Sequence, residues 1–100
     1  MEVTIAHQND EIIVSLDGRL DTPVAQEVAE KLEPLKEEAG GTIILDCSAL
    51  TYISSSGLRI FLSLRKAAAA AGGKVIVRNI DDNIRGIFMM TGFLNLFEIQ

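Results

Sequence analysis

The sequence has few of the residues on which several classes of protein depend. It contains one cysteine, one histidine and no tryptophan. A single cysteine cannot form a disulfide within the chain, and together with one histidine it cannot complete a four-ligand metal site. The composition therefore excludes a disulfide-stabilised scaffold and a structural zinc domain, and we expect no metal and no other cofactor.

Long apolar runs and an excess of positive charge are also missing. No run reaches the length of a membrane span, and residues 1–4 lack the basic segment that opens a targeting signal. The formal net charge is -5, and the nine Lys and Arg residues are scattered. Such a field repels a phosphate backbone. We expect a cytoplasmic protein that neither enters a membrane nor binds nucleic acid.

What the sequence does have is a large aliphatic fraction. Hydrophobic residues make up 48% of the 100 positions, and Ile, Leu, Val and Ala far outnumber the aromatics. A chain of this length and composition can bury one core without help from disulfides or metals. The charged fraction is moderate, which argues against disorder. We therefore predict one globular domain.

Short apolar runs indicate the strands. Residues 3–5 and 12–16 are separated by a polar segment and predict an opening β-hairpin. Residues 42–47 are almost continuously apolar and follow two glycines, the pattern of a central strand covered on both faces. Residues 74–78 predict a further strand, and residues 96–99 an edge strand.

Three segments have helical spacing. Residues 22–39 begin beside a proline and end at two glycines, and Pro34 is expected to tighten, kink or end the last turn. A second helix begins beside residues 54–57 and ends at Gly72, and a third spans residues 81–90. Together the elements predict an α/β sandwich: a mixed sheet of four to five strands with an opening hairpin and helices packed against it.

The sequence contains few residues or motifs that could serve in catalysis. The one histidine, His7, falls in the opening hairpin, and no glycine-rich phosphate-binding loop is present. Residues 54–57 have the wrong glycine spacing for the nucleophile turn of a serine hydrolase. We therefore expect no enzymatic activity. An unrecognised enzyme that uses Ser55 stays open as an alternative, because a fold can bring a distant base to a serine.

The serine cluster before the second helix is the most informative place in the sequence. Helix starts leave backbone N–H groups unpaired, so Ser54, Ser55 and Ser56 can act simply as caps. Three hydroxyls exceed what capping needs, and Gly57 would let another backbone approach closely. An exposed serine at a helix start is also well placed to carry a phosphate, because N–H donors and positive potential meet it there.

Two segments carry a family resemblance. Residues 44–59, ILDCSALTYISSSGLR, resemble the signature of STAS domains in anti-sigma factor antagonists, and residues 16–22, LDGRLDT, resemble the Gly-x-Leu-Asp element of the same domains. Residues 72–74 and 90–94 extend the likeness. The resemblance thus implies a STAS domain over residues 1–100.

The resemblance implies a partner-switching protein. Its unphosphorylated form would bind a serine kinase that is also an anti-sigma factor; phosphorylation by that kinase would end the contact, and a serine phosphatase would restore it. Aligning the motif on its glycine puts the phosphorylated serine at Ser55. Asp21 matches the family's acidic residue beside that site, although it could equally cap the helix that follows. The partner-binding residues expected on this basis are Asp21, Thr22, Ser54, Ser56, Gly57 and Leu58.

The chain departs from the family in two places. Many members have an acidic residue where this chain has Ser54, so the identity of the kinase stays open. Members also continue into a further helix, whereas this chain ends at Gln100, which predicts a less covered side of the sheet or a surface for self-association. The alternative function is a STAS subunit of a membrane transport assembly, in which Ser55 is never phosphorylated. The oligomeric state is open.

Overall fold

The computed structural model describes all residues of the chain, Met1–Gln100. Strands and helices alternate after an opening hairpin. The elements are β1 (Glu2–Gln8), β2 (Glu11–Leu20), α1 (Thr22–Leu32), β3 (Thr42–Ile53), α2 (Ser55–Ala70), β4 (Lys74–Arg78), α3 (Asp82–Thr91) and β5 (Glu98–Ile99), with short 3-10 helices at Glu33–Glu38 and Phe93–Asn95.

The five strands form one mixed sheet in the order β1-β2-β3-β4-β5. β1 and β2 are antiparallel, whereas β2, β3, β4 and β5 run parallel to their neighbours. β3 is therefore central and the hairpin lies at one side, as predicted. The predicted α/β fold with a mixed sheet and packed helices is confirmed.

All three helices pack on one face of the sheet. Their buried side chains belong to a single core cluster that also contains Ile43 and Leu45 of β3. Ile44 points to the opposite face and lies outside this cluster, yet it is only 4% exposed. Its register neighbours Ile13 and Ile76 flank it. β3 is therefore buried on both faces at this point, as predicted, although the helices lie on only one of them.

Pro34 both ends and tightens the first helix. The α-helix stops at Leu32, and residues Glu33–Glu38 continue as a 3-10 helix. Proline lacks the N–H of the α-helical bond and its ring clashes with the preceding turn. Leu35 still reaches the core, being 3% exposed. The helix predicted over residues 22–39 is therefore present over nearly that extent, as an α-helix followed by a 3-10 helix.

β3 runs six residues further than its apolar run, to Ile53. Its pairing with β2 shifts twice, once between Ser15 and Asp17 and once between Gly18 and Arg19, and each shift adds a residue to β3. At the first shift the Asp46 carboxylate accepts a hydrogen bond of 3.0 Å from the Ser48 N–H. Such bulges bend and twist a strand, and here they direct its end toward the start of α2.

Candidate functional site

The starts of α1 and α2 lie side by side. Each helix follows one of two neighbouring parallel strands, so both begin at the carboxyl edge of the sheet. Leu20 and Ile53 are paired at the ends of these strands, and the Ser54 N–H donates a 2.9 Å hydrogen bond to the Leu20 carbonyl. Asp21 and Ser54, the residues that follow each strand, are therefore held close together.

Ser54 is the N-cap of α2. Its backbone is extended, and its hydroxyl oxygen accepts a 3.2 Å hydrogen bond from the Gly57 N–H. This satisfies one of the unpaired donors at the helix start. A carboxylate at the same position could accept the same N-cap hydrogen bond. Because Ser54 is only 9% exposed, it offers little surface for the partner contact expected from the sequence.

Ser55 is the first residue of α2 and its side chain is exposed. The first turn of α2 contains no acidic residue, so nothing on the helix competes with an added anion for the positive end of the dipole. Ser56, next to it, is partly buried. The structure therefore places an exposed serine at this helix start, at the position that the sequence predicted.

Gly57 and Leu58 lie inside the domain and not on its surface. Leu58 is 1% exposed. A Cβ atom on Gly57 would lie 2.8 Å from a side-chain carbon of Ile53 and 2.8 Å from one of Leu20. The glycine therefore lets α2 pack on the ends of β2 and β3. The sequence led us to expect partner contacts at Gly57 and Leu58, and their burial fits a supporting role beneath the surface.

Asp21 occupies the N-cap position of α1 without capping through its side chain. Its backbone is extended, but no side-chain cap hydrogen bond forms. Instead Oδ2 lies 3.8 Å from the Arg19 Nε, and Oδ1 is buried without a hydrogen-bond partner. The capping role considered from the sequence is thus absent. Thr22, the next residue, is exposed and can contribute to a surface beside Ser55.

A stacked pair that no sequence pattern indicated lies beside Asp21. Arg19 and Tyr52 face each other across β2 and β3, and the guanidinium carbon of Arg19 lies 4.5 Å from the centre of the Tyr52 ring. The two residues are far apart in sequence, and their register depends on the bulges in β3. Both fall within the segments that carry the family resemblance, which is the one signal that could have drawn attention to them.

The site has no equipment for catalysis. His7 lies at the opposite edge of the sheet, where its Nε2 is 3.4 Å from the Glu38 carboxylate. Cys47 is buried, and burial together with the charge of Asp46 raises the pKa of its thiol to about 12, so it stays a thiol at neutral pH. No three His, Cys, Asp or Glu side chains are grouped so that they could hold a metal. What the site does present is an exposed serine at a helix start.

Residues 2–100 match the STAS domain family. The chain belongs to the STAS domain family. The anti-sigma-B factor antagonist of Bacillus subtilis strain 168 is a relative with 26% identity over 100 residues, which cover 100% of this chain and 91% of that protein.

Solved structures share the fold. The Bacillus anti-sigma factor antagonist SpoIIAA in its unphosphorylated form superposes with a TM-score of 0.76 at 19% identity, covering 99% of this chain and 87% of that one. Its phosphorylated form gives 0.75 at 20% identity, covering 99% and 91%. A sulfate transporter family protein of Wolinella succinogenes gives 0.77 at 15% identity, covering 94% and 79%. Because regulators and a transporter protein share this fold, the fold alone does not assign a function.

No helix of the structure combines the length and the apolar character that crossing a bilayer would need.

Proposed function

We propose that this STAS domain is a cytoplasmic anti-sigma factor antagonist whose binding is controlled by phosphorylation of Ser55. In its unphosphorylated form it binds an anti-sigma factor that is also a serine kinase; phosphorylation ends the contact, and a serine phosphatase restores it. The observation that carries this proposal is the exposed Ser55 at the first position of α2. The name of the Bacillus subtilis relative supports it.

A phosphate on Ser55 is compatible with the fold. The phosphate would stand at the N-terminus of a 16-residue helix, where unpaired N–H groups and the helix dipole favour an anion. Ser55 makes no part of the core, since its side chain is exposed. Phosphorylation therefore leaves the domain folded, and the switch acts on binding.

The same phosphate opposes binding. It adds nearly two negative charges at pH 7, on a protein whose formal net charge is already -5 and beside Asp21. A partner surface fitted to a neutral hydroxyl would have to desolvate this group without compensation. A loss of about 3 kcal/mol weakens binding by about two orders of magnitude, which is enough to exchange one partner for another.

The contact surface is narrower than the sequence suggested. Thr22 and Ser55 are exposed, and Asp21 and Ser56 are partly exposed, at the neighbouring starts of α1 and α2. Arg19 extends this surface along β2, where its side chain is 62% exposed. We include Asp21, Thr22, Ser55 and Ser56 in the partner surface, with Ser54, Gly57 and Leu58 supporting it from within.

A calorimetric titration of a purified serine kinase anti-sigma factor of the source organism tests the proposal. Ser55→Ala should bind as wild type does and should stay bound when ATP is added, because the kinase cannot phosphorylate it. Ser55→Asp should bind about 100-fold more weakly. Thr4→Asp is the matched control, because it adds the same charge at an exposed position on β1. It should leave the affinity unchanged.

Thermal melts of the four proteins separate binding from folding, and all four should melt within a few degrees of one another. Equal affinities for Ser55→Asp and wild type would contradict the proposed switch. If no variant binds a kinase and the protein instead co-purifies with a transporter ATPase, the transport-assembly alternative replaces it.

A further inference from the structure

The amino edge of the sheet, opposite Ser55, carries two cavities of unlike charge. We call the first the acidic half: it has a volume of about 460 Å³ and is lined by the carboxylates of Asp10, Glu11 and Glu38. We call the second the basic half: it has a volume of about 220 Å³, and its charged residues are Arg65, Lys74 and the single carboxylate of Glu98. The two halves lie at the starts of β2 and β4, on either side of β3.

A seam of glycine backbone separates the halves. The Lys74 N–H donates a 2.9 Å hydrogen bond to the Gly41 carbonyl, and Gly73 packs so closely on residues 39–41 that a Cβ atom there would overlap them. Gly40 and Gly72 are exposed. The middle of this edge therefore has no projecting side chains, and another backbone can approach it closely.

Some of the charges at this edge are paired within the chain, and others are not. The Lys74 ammonium lies 3.7 Å from the Glu98 carboxylate, and the His7 Nε2 lies 3.4 Å from the Glu38 carboxylate. Asp10, Glu11 and Arg65 form no ion pair with any residue. The edge thus has two unpaired carboxylates, Asp10 and Glu11, on one side and one unpaired guanidinium, Arg65, on the other.

We propose that this edge pairs with the same edge of a second copy of the chain, around a two-fold axis through the glycine seam. That symmetry lays the acidic half of each copy on the basic half of the other, so that the contact between unlike charges forms twice. The larger acidic cavity receives the second copy's Arg65. A peptide of one charge sign would match one half and be repelled by the other, whereas a second copy matches both.

The dimer leaves the phosphorylation site free. α2 spans 16 residues, so Ser55 at its start lies about 24 Å from its far end beside the glycine seam. Both copies therefore present Ser55 away from the dimer axis. The inference does not depend on the proposed switch and can fail or hold separately from it.

Sedimentation velocity over a range of protein concentrations, at low and high salt, tests the proposal. Wild type should form a dimer that weakens as salt rises, because exposed ion pairs are screened. Two charge-reversal variants, Arg65→Glu/Lys74→Glu and Asp10→Lys/Glu11→Lys, should each dimerise about tenfold more weakly or worse. Mixed in equal amounts they should form a heterodimer, since one then has two acidic halves and the other two basic halves.

Arg85→Glu, on the exposed side of α3, is the control and should dimerise as wild type does. If a charge reversal perturbs folding in thermal melts, the neutral variant Arg65→Gln/Lys74→Gln replaces it and should also weaken the dimer. A wild type that stays monomeric at the highest attainable concentration in low salt overturns the proposal. So do variants that dimerise as tightly as wild type, or a mixture of the two reversals that fails to associate.

Discussion

The two edges of the sheet join strands to helices by different means. At the amino edge backbone meets backbone: a Cβ atom on Gly73 would lie 2.0 Å from the Ala39 carbonyl oxygen and 2.2 Å from that of Gly41. At the carboxyl edge side chains make the contacts: the Ser54 hydroxyl caps α2, and Gly57 packs against the side chains of Leu20 and Ile53 at the strand ends. At Gly73 the close backbone leaves no room even for a methyl group. The carboxyl edge instead presents an exposed Ser55, whose proposed phosphorylation would change the charge there without disturbing this packing.

The largest effect should come from Gly73→Ala. The added Cβ overlaps two carbonyl oxygens of the backbone, which cannot move aside as a flexible side chain can. We expect a loss of about 3 kcal/mol or more in the free energy of unfolding, measured by urea denaturation. Gly72→Ala is the control: its Cβ meets nothing within 4 Å, although its φ of +83° is unfavourable for alanine. It should cost about 1 kcal/mol, and an equal loss for both variants would contradict the backbone contact.

Gly57→Val should have a smaller effect. The new side chain meets Cγ1 of Ile53 and Cγ of Leu20, two buried side chains that can shift only at a cost, so we expect a loss of about 2 kcal/mol. The loss should appear in the free energy of unfolding, and affinity for the kinase measured well below the melting temperature should change less. A variant that melts like wild type and yet fails to bind would restore Gly57 as a direct contact.

Asp46 stabilises the bulge that leads to the carboxyl edge. Partial burial acts to raise the pKa of its carboxyl, but hydrogen bonds from Ser48 and Asn79 and the charge of Arg78 outweigh it, so the pKa lies below its ordinary value of 3.8. The ionised group thus stabilises the fold above about pH 4, and this contribution is lost as the pH falls through the lowered pKa.

Asp46→Asn should therefore cost about 1–2 kcal/mol at pH 7, and the gap to wild type should narrow as the pH is lowered from about 5 to about 3. Urea denaturation at several pH values measures it. Asp17→Asn, at an exposed position on β2, is the control and should change the free energy of unfolding at pH 7 by about 0.5 kcal/mol or less. A gap that stays constant with pH would show that the charge of Asp46 is not what stabilises the bulge.

Ser54→Ala should have the smallest effect at the carboxyl edge. It removes the oxygen that accepts from the Gly57 N–H, and loss of an N-cap typically costs about 1 kcal/mol. Ser54→Asp keeps an acceptor in place and should retain most of the stability. Thermal melts of both variants measure this, and equal melting temperatures for Ser54→Ala and wild type would mean that the cap contributes nothing.

The sequence predicted the features that depend on neighbouring residues. The central strand and the start of α2 follow from local apolar runs and from the serines before the helix, and the break at Pro34 follows from its missing N–H. The features it missed depend on the pairing of distant strands. The bulges in β3 bring Tyr52 opposite Arg19, and the surroundings of Gly57 exist only once β2 and β3 are aligned. For that reason the position of Ser55 was predicted and the buried roles of Gly57 and Leu58 were not.

We propose that phosphorylation of Ser55 controls partner binding, and the intact mass of the protein purified from its own cells is the direct test. The account predicts a species heavier by one phosphate, mapped by peptide fragmentation to Ser55, that returns to the unmodified mass after treatment with a serine phosphatase. A phosphate on Ser54 or Ser56 in place of Ser55, or an unmodified protein under all growth conditions, would contradict it.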